Sequence, residues 1–302
     1  MKTLADLFYI LEERARPDLL MGRSGADFEP ISATYFAERI RRCAAALQRL
    51  GIERGDRVGL ICSNRPDWHV IDFACHLRGA ILVPLFSTLT AVQVRYIFAD
   101  SGCKVVFAEG ADHLAKVASV RGELPDVEAV VLVPGANGAA GFPPNEGREE
   151  GDASKADGGF EELIAAEEPA TDLPGPEDGD SVATIIYTSG TTGEPKGVML
   201  THRNLISNIV GSQVVLACRS TDVALSILPL CHVFQRVVDY TFFYAGAQVV
   251  YGLPDRLAED YLLVRPTVVA GVPRLFERFR AAVLEKVAAG SSLQQRIFYW
   301  AE

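Results

Sequence analysis

A cluster of small polar residues around one lysine is the part of the sequence best suited to chemistry. The stretch Thr188–Gly197 holds three glycines, four hydroxyl side chains and one lysine, Lys196. Glycines let several backbone N–H groups turn toward one point, and such a nest of amides binds phosphate oxygens. The hydroxyls add donors of adjustable direction, and the lysine adds a compact positive charge. The stretch therefore predicts a phosphate-binding loop rather than a mobile polar turn.

The spacing within this stretch excludes the Walker A loop. In a Walker A loop the second glycine is followed directly by Lys-Ser/Thr, whereas Gly193 is followed by Glu-Pro-Lys. The apolar run 182–187 before the stretch predicts a strand, and the run 198–200 after it predicts a second extended segment. We therefore expect a loop between two strands.

A second candidate site follows the predicted strand 223–228 at His232. Ligand clefts of open α/β sheets form beyond the carboxyl ends of strands. A lone histidine between a cysteine and a valine is more often structural, so its residue type alone does not decide its role. Cys231 beside it is a candidate nucleophile, but no acid–base partner pattern accompanies it, and we expect it to pack in the core.

The sequence of 188–197, Thr-Ser-Gly-Thr-Thr-Gly-Glu-Pro-Lys-Gly, resembles the signature loop of the AMP-forming acyl-activating superfamily. That superfamily includes acyl-CoA synthetases, luciferases and peptide-synthetase adenylation domains. Segments 64–69, 79–84 and 100–105 also match its order of elements. The resemblance implies ATP binding, formation of an acyl-adenylate and, for an acyl-CoA synthetase, coenzyme A as co-substrate.

The resemblance also implies roles for individual residues. Thr188 is expected to help hold Mg²⁺, and Lys196, Thr188 and His232 are the expected catalytic residues. His232, with Val233 and Phe234, is expected to line the acyl-substrate pocket. The residues expected to bind the ATP phosphates are Thr188, Ser189, Gly190, Thr191, Thr192, Gly193 and Lys196.

Two later segments favour a fatty acid as the substrate. Segments 229–236 and 272–277 are similar to the long-chain fatty acid–CoA ligase branch, with Gln235 where that branch often has glutamate. The aromatic residues of 240–244 would suit a fatty-acyl tunnel or, more commonly, a plain core. Another acid (medium-chain, aryl or amino acid) remains an alternative, as does a non-catalytic nucleotide- or fatty-acid-binding fragment.

Several motifs of the superfamily do not occur in these 302 residues. They are the Tyr-Gly-x-Thr-Glu loop, the Thr-Gly-Asp ribose motif and the mobile C-terminal domain with its catalytic lysine. We therefore expect a truncated chain that corresponds to the front half of a family member and is inactive alone.

Apolar runs that alternate with amphipathic helices predict an α/β fold with mainly parallel, doubly wound sheets and helices on both faces. By resemblance this is the N-terminal portion of the large domain of an acyl-CoA synthetase. We predict a first α/β lobe at 1–134, an acidic Gly/Pro-rich loop and linker with one short helix at 135–180, and an incomplete phosphate-loop lobe at 181–302.

Charge and cysteine usage narrow the partners and the compartment. Residues 145–180 carry 13 acidic and 2 basic side chains, a balance of −11 within a total of −10, so the rest of the chain sums to +1. Nothing in this distribution suggests a nucleic-acid partner, and we expect none. The six cysteines show no CxxC pairing, which predicts buried free thiols and a cytoplasmic protein. Peripheral membrane contact and a homodimer remain open.

Overall fold

The computed structural model describes residues 1–25, 27–135, 156–188, 194–253 and 255–301. The strands within them are β1 (Leu20–Ser24), β2 (Asp27–Ile31), β3 (Arg57–Ile61), β4 (Ile81–Leu85), β5 (Cys103–Glu109), β6 (Ala129–Val133), β7 (Gly158–Gly159), β8 (Val182–Thr188), β9 (Lys196–Thr201), β10 (Val223–Ser226), β11 (Gln248–Tyr251) and β12 (Val268–Val269). The α-helices are α1 (Leu4–Arg14), α2 (Ala33–Arg49), α3 (Pro66–Arg78), α4 (Ala91–Ser101), α5 (Gly110–Val120), α6 (Phe160–Ala165), α7 (His202–Leu216), α8 (Val233–Ala245), α9 (Leu257–Val264), α10 (Pro273–Ala288) and α11 (Ser292–Ala301).

One sheet has seven strands in the spatial order β7-β6-β5-β3-β4-β8-β9. Its neighbours run parallel, except for β8 and β9, which pair antiparallel. The central strands β3 and β5 are buried along almost their whole length. Strands buried on both faces are those of a parallel sheet covered by helices on each side, which confirms the predicted α/β class.

The second sheet has five strands in the order β12-β10-β11-β1-β2. Strands β1, β10, β11 and β12 run parallel where they pair, and β2 closes one edge antiparallel to β1. The sequence pattern did not predict the β1–β2 hairpin. Strand β2 is a largely exposed edge strand that contains Pro30, and such strands lack the apolar run on which sequence prediction depends. Helices α9 and α11 were not predicted either.

Local interactions start and stop several of the helices. The Ser32 hydroxyl accepts a hydrogen bond from the Tyr35 N–H at the start of α2, and Gly51 just beyond its end has a φ of +76°. The Thr90 and Thr201 side chains make reciprocal capping boxes at α4 and α7. These caps satisfy backbone groups that would otherwise lack partners.

Sheet membership crosses the predicted lobe boundaries. Strands β1 and β2, from the first forty residues, lie in the five-stranded sheet with β10–β12, whereas β8 and β9 complete the seven-stranded sheet. Sheet membership does not define lobe limits, so the predicted limits at 134 and 181 stay a prediction. The predicted short helix of the linker is α6, whereas most of the predicted acidic loop, residues 136–155, lies outside the described residues.

The main hydrophobic core surrounds α3, every residue of which is buried. Phe73 of α3 packs edge-on against Phe36 of α2 and near Phe243 of α8, with ring centroids 6.2 and 5.9 Å apart. All six cysteines are buried free thiols, as predicted. Across the described ranges, no helix is long and apolar enough to cross a membrane.

Candidate active site

The β8–β9 hairpin holds the two ends of the predicted phosphate loop. Thr188, the last residue of β8, lies directly opposite Lys196, the first residue of β9. Both side chains are exposed. Ser189, Gly190, Thr191, Thr192 and Gly193 lie outside the described residues. The hairpin therefore brings together the first and last of the predicted phosphate contacts on one open edge of the sheet.

A side-chain hydrogen bond connects this hairpin to α4. The Tyr187 hydroxyl donates a hydrogen bond to Asp100 across 2.5 Å. Partial burial, and then the contact with Asp100, raises the pKa of Tyr187, so the phenol remains a donor at neutral pH. This bond holds β8 beside the helix at the residue before Thr188.

His232 caps the N-terminus of α8. Its Nδ1 accepts a hydrogen bond from the Phe234 N–H at 3.3 Å, and its side chain is exposed. A neutral imidazole that accepts at Nδ1 carries its proton on Nε2, which is then free to donate to a ligand. Val233 is half-buried and Phe234 is 44% exposed, so these three residues present an open, partly apolar surface.

The loop that carries His232 is anchored to the other sheet. Asn64, just after β3, donates from Nδ2 to the Leu228 carbonyl at 2.7 Å and accepts from the Leu230 N–H at 3.0 Å. Within this loop Cys231 is buried, and burial raises the pKa of its thiol to about 12. Cys231 is therefore a packing residue, because a protonated thiol is a poor nucleophile.

A buried polar network links the two candidate sites, and sequence analysis missed it. Arg236 of α8 donates from Nε to the Tyr240 hydroxyl at 2.8 Å and from Nη1 to the Thr184 hydroxyl at 2.8 Å, and its Nη2 pairs with Asp72 of α3. All four side chains are fully buried. Burial by itself would raise the pKa of Asp72, but Arg236 and His76 hold it well below its usual range.

A second group of buried polar side chains continues this network. Gln235 donates from Nε2 to Asp239 at 2.6 Å, and the Ser226 hydroxyl donates to the same carboxylate at 2.8 Å. The Gln235 departure from the family pattern therefore affects the buried network and not the exposed surface at His232. The signal that sequence analysis could have used is the polar stripe at His69, Asp72 and His76, at helical spacing within an otherwise apolar segment.

Among the described residues, no hydrogen bond or ion pair joins His232 directly to Thr188 or Lys196. The two candidate sites are connected instead through the hydrogen bond between Arg236 and Thr184. The aromatic residues Tyr240, Phe242 and Phe243 are at most 1% exposed and form core. This is the commoner of the two interpretations that the sequence allowed. Tyr244, by contrast, is half-buried.

Comparison with known proteins identifies the class. The family described as AMP-binding enzyme matches residues 21–300, and the chain belongs to this family. It is 36% identical over 251 residues to long chain acyl-CoA synthetase 6, peroxisomal, of Arabidopsis thaliana, a match that covers 82% of this chain and 35% of that protein. It is 33% identical over 287 residues to fatty acyl-CoA synthetase A of Dictyostelium discoideum, covering 94% of this chain and 42% of that protein.

Solved structures agree with the fold. The adenylation domain of a carboxylate reductase from Mycobacterium chelonae matches with a TM-score of 0.80 at 24% identity, over 96% of this chain and 49% of that one. A putative long-chain-fatty-acid CoA ligase from Rhodopseudomonas palustris matches with a TM-score of 0.71 at 24% identity, over 90% of this chain and 63% of that one. The chain thus spans less than half the length of the two curated relatives named above.

Proposed function

We propose that this chain carries the phosphate-binding part of an AMP-forming long-chain fatty acid–CoA ligase. The main support for this proposal is the β8–β9 hairpin, which places Thr188 opposite Lys196 at the two ends of a Gly/Thr-rich loop. In the proposed reaction a fatty acid carboxylate attacks the α-phosphorus of ATP. The bond to the bridging oxygen breaks and pyrophosphate leaves with the electron pair, which gives acyl-AMP. The coenzyme A thiolate then displaces AMP to form the thioester.

The residues of this chain act in the proposed reaction by charge and position. Two anions must meet, so neutralising the phosphates and holding the reactants in line supply most of the rate acceleration. Lys196 supplies the positive charge, and the hydroxyls and amides of 188–193 donate to the β- and γ-phosphates. His232 donates from Nε2 on the acyl side, beside Val233 and Phe234.

Mg²⁺ fits this arrangement as a cofactor held mainly by the phosphates. The described part of the chain has no group of three or more His, Cys, Asp or Glu side chains that could hold a metal. Thr188 offers a hard hydroxyl oxygen, and Mg²⁺ at nucleotide sites commonly takes only one or two protein ligands beside phosphate and water. The ion would supply charge neutralisation of the leaving pyrophosphate.

A fatty acid is the proposed substrate because the similar curated proteins are named as long-chain and fatty acyl-CoA synthetases. Another carboxylic acid (medium-chain, aryl or amino acid) remains the alternative. The cytoplasmic location, peripheral membrane contact and a homodimer stay predictions. The Arabidopsis relative is itself named as peroxisomal.

ATP binding by the 302-residue protein tests the phosphate-loop assignment. Replacing Lys196 by Ala removes one charge-assisted contact, and we expect ATP affinity to fall about tenfold or more in isothermal titration. Lys286→Ala is the matched control, because Lys286 is also exposed but lies on α10. Equal ATP affinity in the two variants would refute the assignment.

Palmitate-dependent exchange of pyrophosphate into ATP tests the ligase proposal on the longest reading frame that contains this chain. We expect exchange that requires both palmitate and Mg²⁺ and that Lys196→Ala abolishes. A folded protein that binds ATP but shows no exchange with fatty, aryl or amino acids would contradict it.

A nucleotide-binding protein without turnover is the second candidate. This candidate is favoured by the fact that the 302-residue chain matches only 35% and 42% of the length of the two curated relatives. We expect ATP binding without exchange from this chain alone. Measurable exchange with no partner polypeptide present would exclude this candidate.

A further inference from the structure

One side chain, that of Asn64, holds two backbone groups of the segment that leads from β10 to His232. The Asn64 amide nitrogen donates to the Leu228 carbonyl at 2.7 Å, and its oxygen accepts from the Leu230 N–H at 3.0 Å. A carboxamide suits this task because it carries a donor and an acceptor in one rigid plane. The two partners also fix which way the amide faces, since a carbonyl only accepts and an N–H only donates.

The two hydrogen bonds of Asn64 act on His232 through a short turn. Pro229 lies between the two residues that Asn64 holds, and its carbonyl accepts from the His232 N–H at 3.0 Å. Helix α8 begins on the other side of His232, and the Phe234 N–H donates to His232 Nδ1 there. Asn64 therefore fixes the chain before His232, as α8 fixes the chain after it.

Asn64 is itself held by its neighbours in the connection from β3 to α3. The N–H and hydroxyl of Ser63 donate to the Glu109 carboxylate at 2.6 and 2.9 Å, and Arg65 Nη1 donates to it at 3.3 Å. Glu109 ends β5 and is 5% exposed, so this anchor belongs to the buried part of the seven-stranded sheet. Hydrogen bonds to an ionised group are the stronger kind, which makes the connection a rigid support for Asn64.

We propose that Asn64 is a positioning residue for His232, which sets the place of the imidazole in the acyl site and acts through it. This role rests on the proposed function, because His232 faces the acyl substrate only in that reaction. A displacement of about 1 Å at a reacting centre can slow a reaction about a hundredfold. Among the described residues, no hydrogen bond joins Asn64 to Thr188 or Lys196. Asn64 therefore serves the acyl side of the reaction and not the binding of ATP.

NMR relaxation of backbone amides in the 302-residue protein tests the positioning without any need for activity. We expect the His232 amide to have an order parameter of about 0.85 in the wild type and below about 0.6 in Asn64→Ala. The amides of Thr188 and Lys196 should not change. Asn208→Ala is the matched control, because the exposed Asn208 donates to the Asn204 carbonyl within α7. A His232 amide that is already flexible in the wild type, or that stays rigid in Asn64→Ala, would overturn the proposal.

Asn64→Asp provides a second variant in case Asn64→Ala does not fold. Aspartate keeps an acceptor for the Leu230 N–H but places an oxygen against the Leu228 carbonyl, where a donor is needed. The His232 amide should therefore become flexible in this variant as well. An order parameter equal to that of the wild type would count against the proposal in the same way.

Kinetics on the longest reading frame that contains this chain separate positioning from a general loss of stability. In palmitate-dependent pyrophosphate exchange, Asn64→Ala should lower kcat/KM for palmitate about tenfold to a hundredfold and leave the KM for ATP unchanged. In the His232→Ala background the same substitution should cause no further loss, because no imidazole is left to position.

Losses that multiply in the double variant, or a raised KM for ATP in Asn64→Ala, would overturn the proposal. An absence of exchange in the wild type would instead refute the proposed function. In that case the order parameters would still decide whether Asn64 holds His232 in place.

Discussion

Arg236 donates a hydrogen bond to the hydroxyl of Thr184 across 2.8 Å, and both side chains are fully buried. Arg236 lies four residues after His232 on α8, and Thr184 lies four residues before Thr188 on β8. A single bond thus ties the element that carries the proposed acyl-side histidine to the strand that leads into the phosphate loop. This hydrogen bond therefore fixes the position of α8 relative to β8, and with it the spacing between the two candidate sites.

Thr184→Val should destabilise the protein by about 1–3 kcal/mol, because it leaves a buried guanidinium N–H without an acceptor. The Leu82 carbonyl, which accepts from the same hydroxyl at 2.6 Å, loses its donor as well. Thr184→Ser keeps the hydroxyl and is the control, with a smaller loss that reflects one missing methyl group. Urea unfolding measures the loss in unfolding free energy for Thr184→Val and for Thr184→Ser. Equal losses in the two variants would show that the hydroxyl does not matter.

Asp72→Asn should be more severe, at about 3–5 kcal/mol, because it leaves the charge of Arg236 buried without a counterion. Adding Arg236→Met to Asp72→Asn removes that charge, and the double variant should recover part of the loss. Urea unfolding of both single variants and the double variant gives the coupling free energy between the two residues. Additive losses would argue against a direct pair.

Gly197→Ala should disturb the hairpin that frames the phosphate loop. A Cβ at this position would lie 2.8 Å from Cγ2 of Ile185 and 3.0 Å from Cζ of Tyr187, so these side chains must move. We expect a loss of about 1–3 kcal/mol in stability, as for other overpacked sites, together with weaker ATP binding. Gly211→Ala in α7 is the control, since a Cβ there meets nothing within 4 Å and alanine favours a helix. Unchanged ATP affinity in Gly197→Ala would contradict the role of the hairpin.

His202 should make stability depend on pH. Burial, and then the neighbouring His76 and Arg236, lowers its pKa to about 3, and its Nδ1 accepts from the Leu4 N–H at 3.2 Å. In the unfolded chain the pKa returns to about 6.5, so between these two values the unfolded state binds a proton that the folded state does not. Stability should therefore fall as pH drops below about 6.5, by up to about 1.4 kcal/mol per pH unit from this residue.

His202→Asn keeps an acceptor near Leu4 but cannot titrate, so it should flatten this part of the profile. His69 works in the opposite direction, because the Asp239 and Asp72 carboxylates overcome its burial and raise its pKa. The difference in unfolding free energy between wild type and His202→Asn at each pH gives the contribution of His202 alone, because His69 is present in both proteins. Parallel stability profiles between pH 7 and 4.5, measured by urea unfolding, would show that His202 does not titrate as its burial implies.

The sequence by itself predicted most of the helices and the buried parallel strands, and it predicted a phosphate-binding role for one loop. Glycines, hydroxyls and a lysine in a fixed order predict phosphate binding, and capping residues such as Thr90 and Thr201 place helix starts, because these are local interactions between near neighbours. The buried parallel strands also follow from local apolar runs.

Only the tertiary structure decided which of these elements meet. The pairing of Arg236 with Asp72 joins residues 164 positions apart, and the β1–β2 hairpin pairs with β11 from the other end of the chain. Such contacts depend on packing between distant segments, and no pattern of neighbouring residues encodes them. Arg23 on β1 and Tyr251 on β11 of one sheet meet the loop after β3 of the other sheet for the same reason.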